Sequence, residues 1–586
     1  MVPGTTIQAI PVAPGIAIGR IMRFGSVMQD IPDPSPIDPS EAAAEWERFL
    51  NAVEKTKQQL VSLQQKLREK LDAGEAAIFD AHLLLVEDQT LTAAVRNAIM
   101  EENSNAAHAV YQAMEKFVAA FSGVADEYLR ERALDIRDIA MRLISNLSER
   151  ASENTTYDDP RILIASNLTP SETAGLDRQK VLGFAVETGS ATSHTAILAR
   201  SLKLPAVVGV PRDLLDKLTV ADKLIVDGYS GKVLVNPDQK TERAYLLKSR
   251  EANEFYSELQ AEADLPSETL DGFRVQLAGN LDADQNYDEI LAAGAEGVGL
   301  FRTEFLFVDP DHLPGEEEQF EIYKKLLISA GKQPVTIRTI DVGGDKLNSG
   351  IIRSTEQNPF LGLRGIRLCL CERRDIFDTQ LRALLRAGIY GDLRVMLPMV
   401  SSTTELMETR EIIAKLKQDL ADENIPCADK LPLGIMIETP VAALIAEKFA
   451  PYADFFSIGT NDLIQYTMAV DRSNERVAHL YRPSHPSILK LIQHTVKAAL
   501  EHNIYVSVCG QMAESIMMLP LLVGLGVHEL SMPVASVPIQ RRTIRHLERF
   551  ECEELVAEAL KCSNAAEVID LVKAVLERRA PEMMEH

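Results

Sequence analysis

Apolar positions divide the chain into stretches of different period. From Pro39 to about Ser148, Gly and Pro are almost absent, and apolar residues recur three, four and seven apart. Leu50, Val53, Leu60, Leu63, Leu67 and Leu71 form one such series, and Ala106, Val110, Met114, Phe117 and Phe121 another. That spacing lines one side of a helix, and several such helices with short connections predict a bundle. Met1 to about Gly25 is instead punctuated by Pro and Gly and β-like. From about Arg161 to Asn236, the runs ILIAS, KVLGFAVET, PAVVGV, KLIVDG and GKVLVN alternate with helical stretches, which predicts a small α/β domain. Thr241 to Ala263 is charged and helix-prone, a connecting helix. Beyond Pro266, eight short apolar runs follow: VQLAGN, GVGLFRT, VTIRTID, RVMLPMV, LGIMIET, FFSIGTND, VSVCGQM and HELSMP. Separated mostly by helix-length segments, they predict a (β/α)8 barrel. The expected fold class is therefore α/β multidomain. Residues 1–25 and 149–236 form an α/β domain, 26–148 a helical insertion in it, 237–265 a linker and 266–586 the barrel.

Polar residues close the barrel runs: Asn280, Arg302, Arg338, Asp341, Glu438, Asn461, Asp462 and Cys509. The C-terminal ends of barrel strands form one rim, where active sites are built, so residues far apart in the chain are expected to converge. A single charged residue there only marks where a strand leaves the core; repetition at so many ends weighs against that reading. Arg302, Arg338 and Arg472 are guanidiniums able to grip phosphate or carboxylate bidentately. Lys346 in DVGGDK adds a point charge. Glu438 and Asp462 fit Mg²⁺, a hard cation that takes oxygen ligands, in preference to salt bridges with the same arginines. Together these groups describe a site for a small, multiply charged anion. Cys509 reads equally as inert core or as a proton donor or acceptor. In TGSATSHTAILARSL, His194 follows a Gly-containing turn and opens a helix, with Ser193 or Thr192 as N-cap. Free amides at a helix start favour phosphate and neutral imidazole is a nucleophile, so His194 is a candidate for phosphorylation, against a plain capping or surface role.

Composition narrows the class. With 61 basic and 86 acidic residues the formal charge is −25, which argues against nucleic acid as partner and requires any anionic ligand to be held by a local cationic cluster. The six cysteines all lie in the second half without zinc-finger spacing, as expected of a reducing compartment. The N-terminus has neither a charged n-region nor an apolar h-region. The longest apolar run, Met517 to Val527, is too short for the roughly 20 residues that span a bilayer. The expectation is a cytoplasmic protein without membrane insertion.

The segments LTPSETAGL, TSHTAILARSLKLPAVVG, GAEGVGLFRTEFLF, RTIDVGGDK, NPFLGLRGIR, IETPVAA, DFFSIGTNDLIQYTMAVDR and CGQMA resemble motifs of one family. It is enzyme I of the bacterial phosphoenolpyruvate-dependent sugar phosphotransferase system, and the resemblance runs over nearly the full length. EAAIFDAHLLLVED and ERALDIRDIAMR resemble the same family and separate the chain from dikinase relatives, which carry an ATP-binding domain. The resemblance implies that His194 accepts the phosphoryl group through Nε2 and that Arg302, Arg338, Arg472 and Asn461 contact phosphoenolpyruvate. It implies Glu438 and Asp462 as Mg²⁺ ligands, Asp462 also lying against substrate, Cys509 as proton donor to the enolate carbon, and Arg364 and Lys346 as supporting residues. The α/β domain would be the swivelling phosphohistidine domain, the helical insertion the docking platform for the phosphocarrier HPr, and the barrel the homodimerisation domain. Ser190, Leu363, Gln511 and Glu514 depart from the family pattern, where Gly, Trp, an acidic residue and Gly are usual.

Overall fold

The structure, a computed structural model, describes residues 4–23, 34, 36–68, 83, 86, 89–122, 136, 139–147, 159–166, 180–187, 199, 204–282, 287–307, 313–343, 356, 358–472, 474 and 476–584. They divide into two compact units, Met1–Phe255 and Tyr256–His586. His194, with its neighbours Ser190, Thr192 and Ser193, and Lys346 lie outside the described residues. Among the described residues no helix is long and apolar enough to cross a membrane.

The first unit contains strands β1 (Thr5–Gln8), β2 (Ile10–Ala13), β3 (Ile16–Arg23), β4 (Arg161–Ala165), β5 (Val181–Val186), β6 (Ala206–Val208), β7 (Lys223–Asp227) and β8 (Lys232–Val235). Their order in one sheet is β1-β8-β7-β3-β4-β5-β6-β2. β3 to β6 run parallel to one another. Every residue of β4 is buried. Ile162 and Ile164 enter one core with Ile21 and Val207, while Leu163 and Ala165 enter another with Phe184 and Val208. A strand covered on both faces needs a continuous apolar run rather than alternation, which is how this region reads in sequence.

Helices α1 (Ala42–Arg68), α2 (Gln89–Met100) and α3 (Ala106–Ser122) share a core of Phe49, Leu60, Val95, Ile99, Val110 and Met114. Leu50, expected in that stripe, is 45% exposed. Adjacent residues sit about 100° apart around a helix, and the larger Phe49 takes the inward place. Helix α4 (Gln239–Ala261) starts two residues earlier than the sequence reading. Its Lys248 Nζ lies 2.9 Å from Asp227 Oδ2. Asp227 Oδ1 also accepts the amides of Tyr229 and Ser230 at 3.0 and 3.1 Å, closing the turn between β7 and β8.

The second unit is a closed barrel of eight parallel strands: β9 (Gln276–Asp282), β10 (Val298–Arg302), β11 (Val335–Arg338), β12 (Leu393–Leu397), β13 (Leu433–Ile437), β14 (Phe455–Ile458), β15 (Tyr505–Val508) and β16 (Glu529–Met532). Each of the eight apolar runs supplies one strand. Helices α5 (Glu316–Ala330), α6 (Arg374–Ala387), α7 (Thr403–Asp422), α8 (Thr460–Met468) and α9 (Pro486–Glu501) lie in the crossovers. α6 shows why: Ile376, Phe377, Leu381, Leu384 and Leu385 are buried on one side, an apolar stripe at helical period. The residues that precede α7 form a capping box, in which Ser402 Oγ accepts from Thr404 N at 3.2 Å and Glu405 Oε2 accepts from Ser402 N at 2.8 Å. Inside the barrel, Leu300, Met396, Met436 and Phe455 pack with Cys509.

Candidate active site

The C-terminal ends of β10, β11, β13, β14 and β15, with the turns that follow, surround a cavity of about 260 Å³. Arg302, Arg338, Asp341, Arg364, Glu438, Asn461, Asp462, Arg472 and Cys509 line it, together with Phe305, Phe360 and Met436. Of the described site residues expected in the barrel, all meet here except Asn280. Asn280 turns instead to Ser531, whose Oγ donates to its Oδ1 at 2.6 Å.

Arg338 ends β11 and is buried. Its Nη1 lies 3.2 Å from Asp341 Oδ2 and its Nη2 pairs with Glu304. Burial opposes the charge, but Glu304, Asp341 and Glu438 outweigh it and raise the guanidinium's pKa. Arg364 precedes the short helix Ile366–Cys371. Its Nε and Nη2 donate to Asp341 at 3.2 and 2.9 Å, and its Nη2 and Nη1 reach Asp462 at 3.3 and 3.5 Å. Nη1 also donates to the Tyr466 hydroxyl at 3.1 Å. Here too burial is outweighed, by Asp341 and Asp462 first. These two guanidiniums are thus held ionised and immobile from within the protein. Arg302 is more open, with Nη1 3.5 Å from Asp282 Oδ1.

Glu438 follows β13 and is 1% exposed. Its Oε1 accepts the Met399 amide at 2.5 Å. Met399, just beyond β12, has φ +58°, a left-handed conformation that is uncommon for such a side chain. Burial, then the carboxylates of Asp462 and Asp341, push the Glu438 carboxyl upward against Arg364 and Arg338. Asn461 and Asp462 lie in the first turn of α8, one turn beyond the end of β14. Asn461 Oδ1 accepts the Gln511 amide at 2.8 Å, which ties that turn to the end of β15. Gly510 permits the approach: a Cβ there would stand 2.0 Å from Thr460 Oγ1 and 2.8 Å from Thr460 N. Arg472 follows α8, where its amide donates to Gln465 Oε1 at 3.1 Å. Cys509, the first residue beyond β15, is buried, with Sγ 3.8 Å from the Ile458 carbonyl. Burial pushes the thiol up to about 11. It remains S–H at neutral pH, and it can donate a proton but is a poor nucleophile.

Glu438 and Asp462 bring carboxylates into one cavity, where Asp462 helps push the Glu438 carboxyl upward; a hard divalent cation relieves that repulsion. Among the described residues no group of three or more His, Cys, Asp or Glu is arranged to hold a metal alone. Two carboxylates leave coordination positions open to other oxygens, so this pair could hold a hard divalent cation.

Glu304, Tyr466 and Phe305 were not singled out in sequence. Glu304 had a signal, a carboxylate two residues after Arg302 and directly before the apolar run FLF. Among the departures, Gln511 contributes a backbone amide, as above. Leu363 N donates to Glu356 at 3.1 Å. Glu514 is half-buried, with its carboxyl raised by burial against the pull of Arg302.

Residues 256–549 match the family described as PEP-utilising enzyme, PEP-binding domain; residues 157–231 match its mobile domain and residues 8–132 its N-terminal region. A phosphoenolpyruvate-protein phosphotransferase of Staphylococcus aureus is 41% identical over 567 residues, covering 97% of this chain and 98% of that protein. One of Priestia megaterium is 41% identical over 573 residues, with the same coverage of 97% and 98%. Among solved structures, the solution structure of Enzyme I (nEIt) matches 42% of this chain and 99% of its own at 36% identity, with a TM-score of 0.36. With its barrel domain, its mobile domain and full-length relatives all in agreement, the chain belongs to the phosphoenolpyruvate-protein phosphotransferase family of PEP-utilising enzymes.

Proposed function

We propose that this enzyme binds phosphoenolpyruvate in the barrel cavity and transfers its phosphoryl group to His194. From there the group passes to the histidine of a phosphocarrier of the HPr kind, and pyruvate is released. The observation that carries this reading is the meeting of four guanidiniums, two carboxylates suited to a cation and a neutral thiol in one small cavity. Arg302 and Arg338 grip the phosphate, with Asn461 as a further contact. Arg472 binds the rest of the anion. Asp341 and Glu304 keep the charged forks aimed before substrate arrives, so little reorganisation is left for the transition state. Phosphoryl transfer proceeds through a loose transition state with charge spread over the oxygens, and immobile arginines stabilise that charge. When bound, Mg²⁺ held by Glu438 and Asp462 supplies neutralisation of the phosphate. Cys509 gives its thiol proton to C3 of enolpyruvate, forming the methyl group of pyruvate.

In this reading residues 1–25 and 149–236 carry His194, 26–148 dock the carrier, 237–265 link the parts, and 266–586 bind substrate and pair two copies in a cytoplasmic homodimer. Purified chain incubated with ³²P-phosphoenolpyruvate and Mg²⁺, without nucleotide, should become labelled on His194 and pass the label to HPr. His194→Ala should remain unlabelled. Labelling that persists in that variant, or that requires nucleotide, rejects the assignment.

A further inference from the structure

The seam between β10 and β11 carries Arg302, Arg338 and Asp341 of the cavity wall. The two strands pair in register up to Phe301 and Ile337. Just beyond that pair, side chains take over from the backbone ladder. Thr303 Oγ1 donates to the Arg338 carbonyl at 2.9 Å. Gln380 of α6 reaches both segments at once. Its Nε2 donates to Thr303 Oγ1 at 3.2 Å, and its Oε1 accepts the Ile340 amide at 2.9 Å. Thr303 lies between Arg302 and Glu304, and Ile340 immediately precedes Asp341. One amide thus holds the residues next to both carboxylates that pair with Arg338.

Counting protons fixes the direction of each of these bonds. The Thr303 hydroxyl has one proton and spends it on Arg338, so its oxygen is left to accept. Tyr323 of α5 donates its phenol proton to Gln319 Oε1 at 3.1 Å and is likewise left to accept. Gln380 Nε2 meets it at 3.2 Å with its second proton. Gln319 Nε2 ends the chain on the Pro314 carbonyl at 3.0 Å. Position 380 must therefore accept once and donate twice. A neutral carboxamide does this; a carboxylate or an apolar side chain does not. Thr303, Gln319, Tyr323 and Gln380 are all fully buried, so a missing partner leaves a polar group unpaired away from bulk water. Burial also raises the Tyr323 phenol, which keeps its proton in place.

We propose that Gln380 is a positioning residue for phosphoryl transfer, which ties the ends of β10 and β11 together so that Arg302 and Arg338 meet the phosphate in one fixed geometry. The inference rests on the reading that these two arginines grip phosphoenolpyruvate. Gln380 is not part of the cavity lining. It acts through Thr303 on the Arg338 carbonyl, and through Ile340 on the segment that carries Asp341. Charge aimed in advance contributes most in the transition state, so slack at this seam lowers turnover more than it weakens substrate binding.

The test is pyruvate release by variants of the full-length enzyme with phosphoenolpyruvate, Mg²⁺ and HPr. Gln380→Met keeps the length and bulk of the side chain but offers no N–H. Its kcat should fall about tenfold or more, while KM for phosphoenolpyruvate moves by less than about threefold. Thr303→Val should show the same split, and Thr303→Ser, which keeps the hydroxyl, should stay within about twofold of the parent. Gln319→Met cuts the same buried cluster at its far end, away from both strand ends. It should lower the thermal unfolding midpoint as Gln380→Met does, yet leave kcat within about twofold of the parent. Equal losses of kcat in Gln319→Met and Gln380→Met would show a packing role and overturn the proposal. So would Gln380→Met turning over within about twofold of the parent. Should Gln380→Met fail to fold, equal kcat in Thr303→Val and Thr303→Ser would overturn it instead. A parent that releases no pyruvate would reject the reading of the cavity, and the positioning role with it.

Discussion

Gly510→Ala probes the seam that brings Cys509 and Asn461 to one cavity. The added methyl would stand 2.0 Å from Thr460 Oγ1, 2.8 Å from Thr460 N and 2.9 Å from Asn461 Oδ1. Carbon contacts are comfortable only from about 3.5 Å. Rotating the Thr460 side chain removes the first clash but not the second, which is with backbone. The ends of β14 and β15 must therefore separate by about half an ångström or more, stretching the 2.8 Å bond between Gln511 N and Asn461 Oδ1. A misplacement of about 1 Å can cost about 100-fold in rate. We expect kcat for pyruvate formation to fall about 10- to 100-fold, or about 1.4 to 2.7 kcal/mol, and stability to fall by about 1–3 kcal/mol from overpacking. A coupled lactate dehydrogenase assay with HPr as acceptor measures the first and thermal unfolding the second. Thr460→Ala added to the same chain should restore activity only partly. A kcat within about threefold of the parent would refute the reasoning, because the ends of the two strands would then not need this close approach.

Arg338→Met should destabilise the barrel by about 3–5 kcal/mol, because it removes the guanidinium paired with buried Glu304 and leaves Asp341 with Arg364 alone of the two arginines facing it; a loss below about 1 kcal/mol in urea unfolding would contradict the pairing of Glu304 with Arg338. Burial raises the Asp227 carboxyl, but its bonds to Lys248 and Ser230 prevail and hold it below the ordinary 3.8. The stability it contributes is therefore present above that value and lost as pH falls through the lower folded value. Asp227→Asn should lower stability at neutral pH, and the difference from the parent should shrink as pH drops from about 5 to about 3; a constant difference would count against the ion pair. With the Cys509 thiol near 11, proton donation to enolpyruvate should show no loss at neutral pH, and iodoacetamide should modify the exposed Cys371 well before Cys509. An alkaline fall in methyl exchange between pH 7 and about 8 would contradict the buried thiol.

The barrel was legible because parallel strands buried on both faces appear as short apolar runs, each ending where a polar side chain leaves the core. Arg302, Arg338, Glu438 and Cys509 stand at such ends, so their convergence followed from topology alone. Arg364 ends no strand; it reaches the cavity from the residues before a short helix, and only its motif pointed to it. The pairing of Glu304 with Arg338 and the left-handed backbone of Met399 arise from contacts across neighbouring strands that carry no period. In α1, Phe49 and Leu50 are both apolar, and which one faces inward depends on packing against α2 and α3 rather than on spacing.

Arg338 and Arg364 direct their charge to Glu304, Asp341 and Asp462, which leaves Arg302 and Arg472 as the cavity's more available cations, on a chain with formal charge −25. A trianion diffusing in from bulk meets a body of net negative charge, with a cationic pull that reaches only a short way from the cavity. Salt shortens the reach of that repulsion, from about 30 Å at 0.01 M to about 8 Å at 0.15 M. Encounter with the anion should therefore quicken as ionic strength climbs toward the cell's, the reverse of an enzyme that draws its ligand in by long-range attraction.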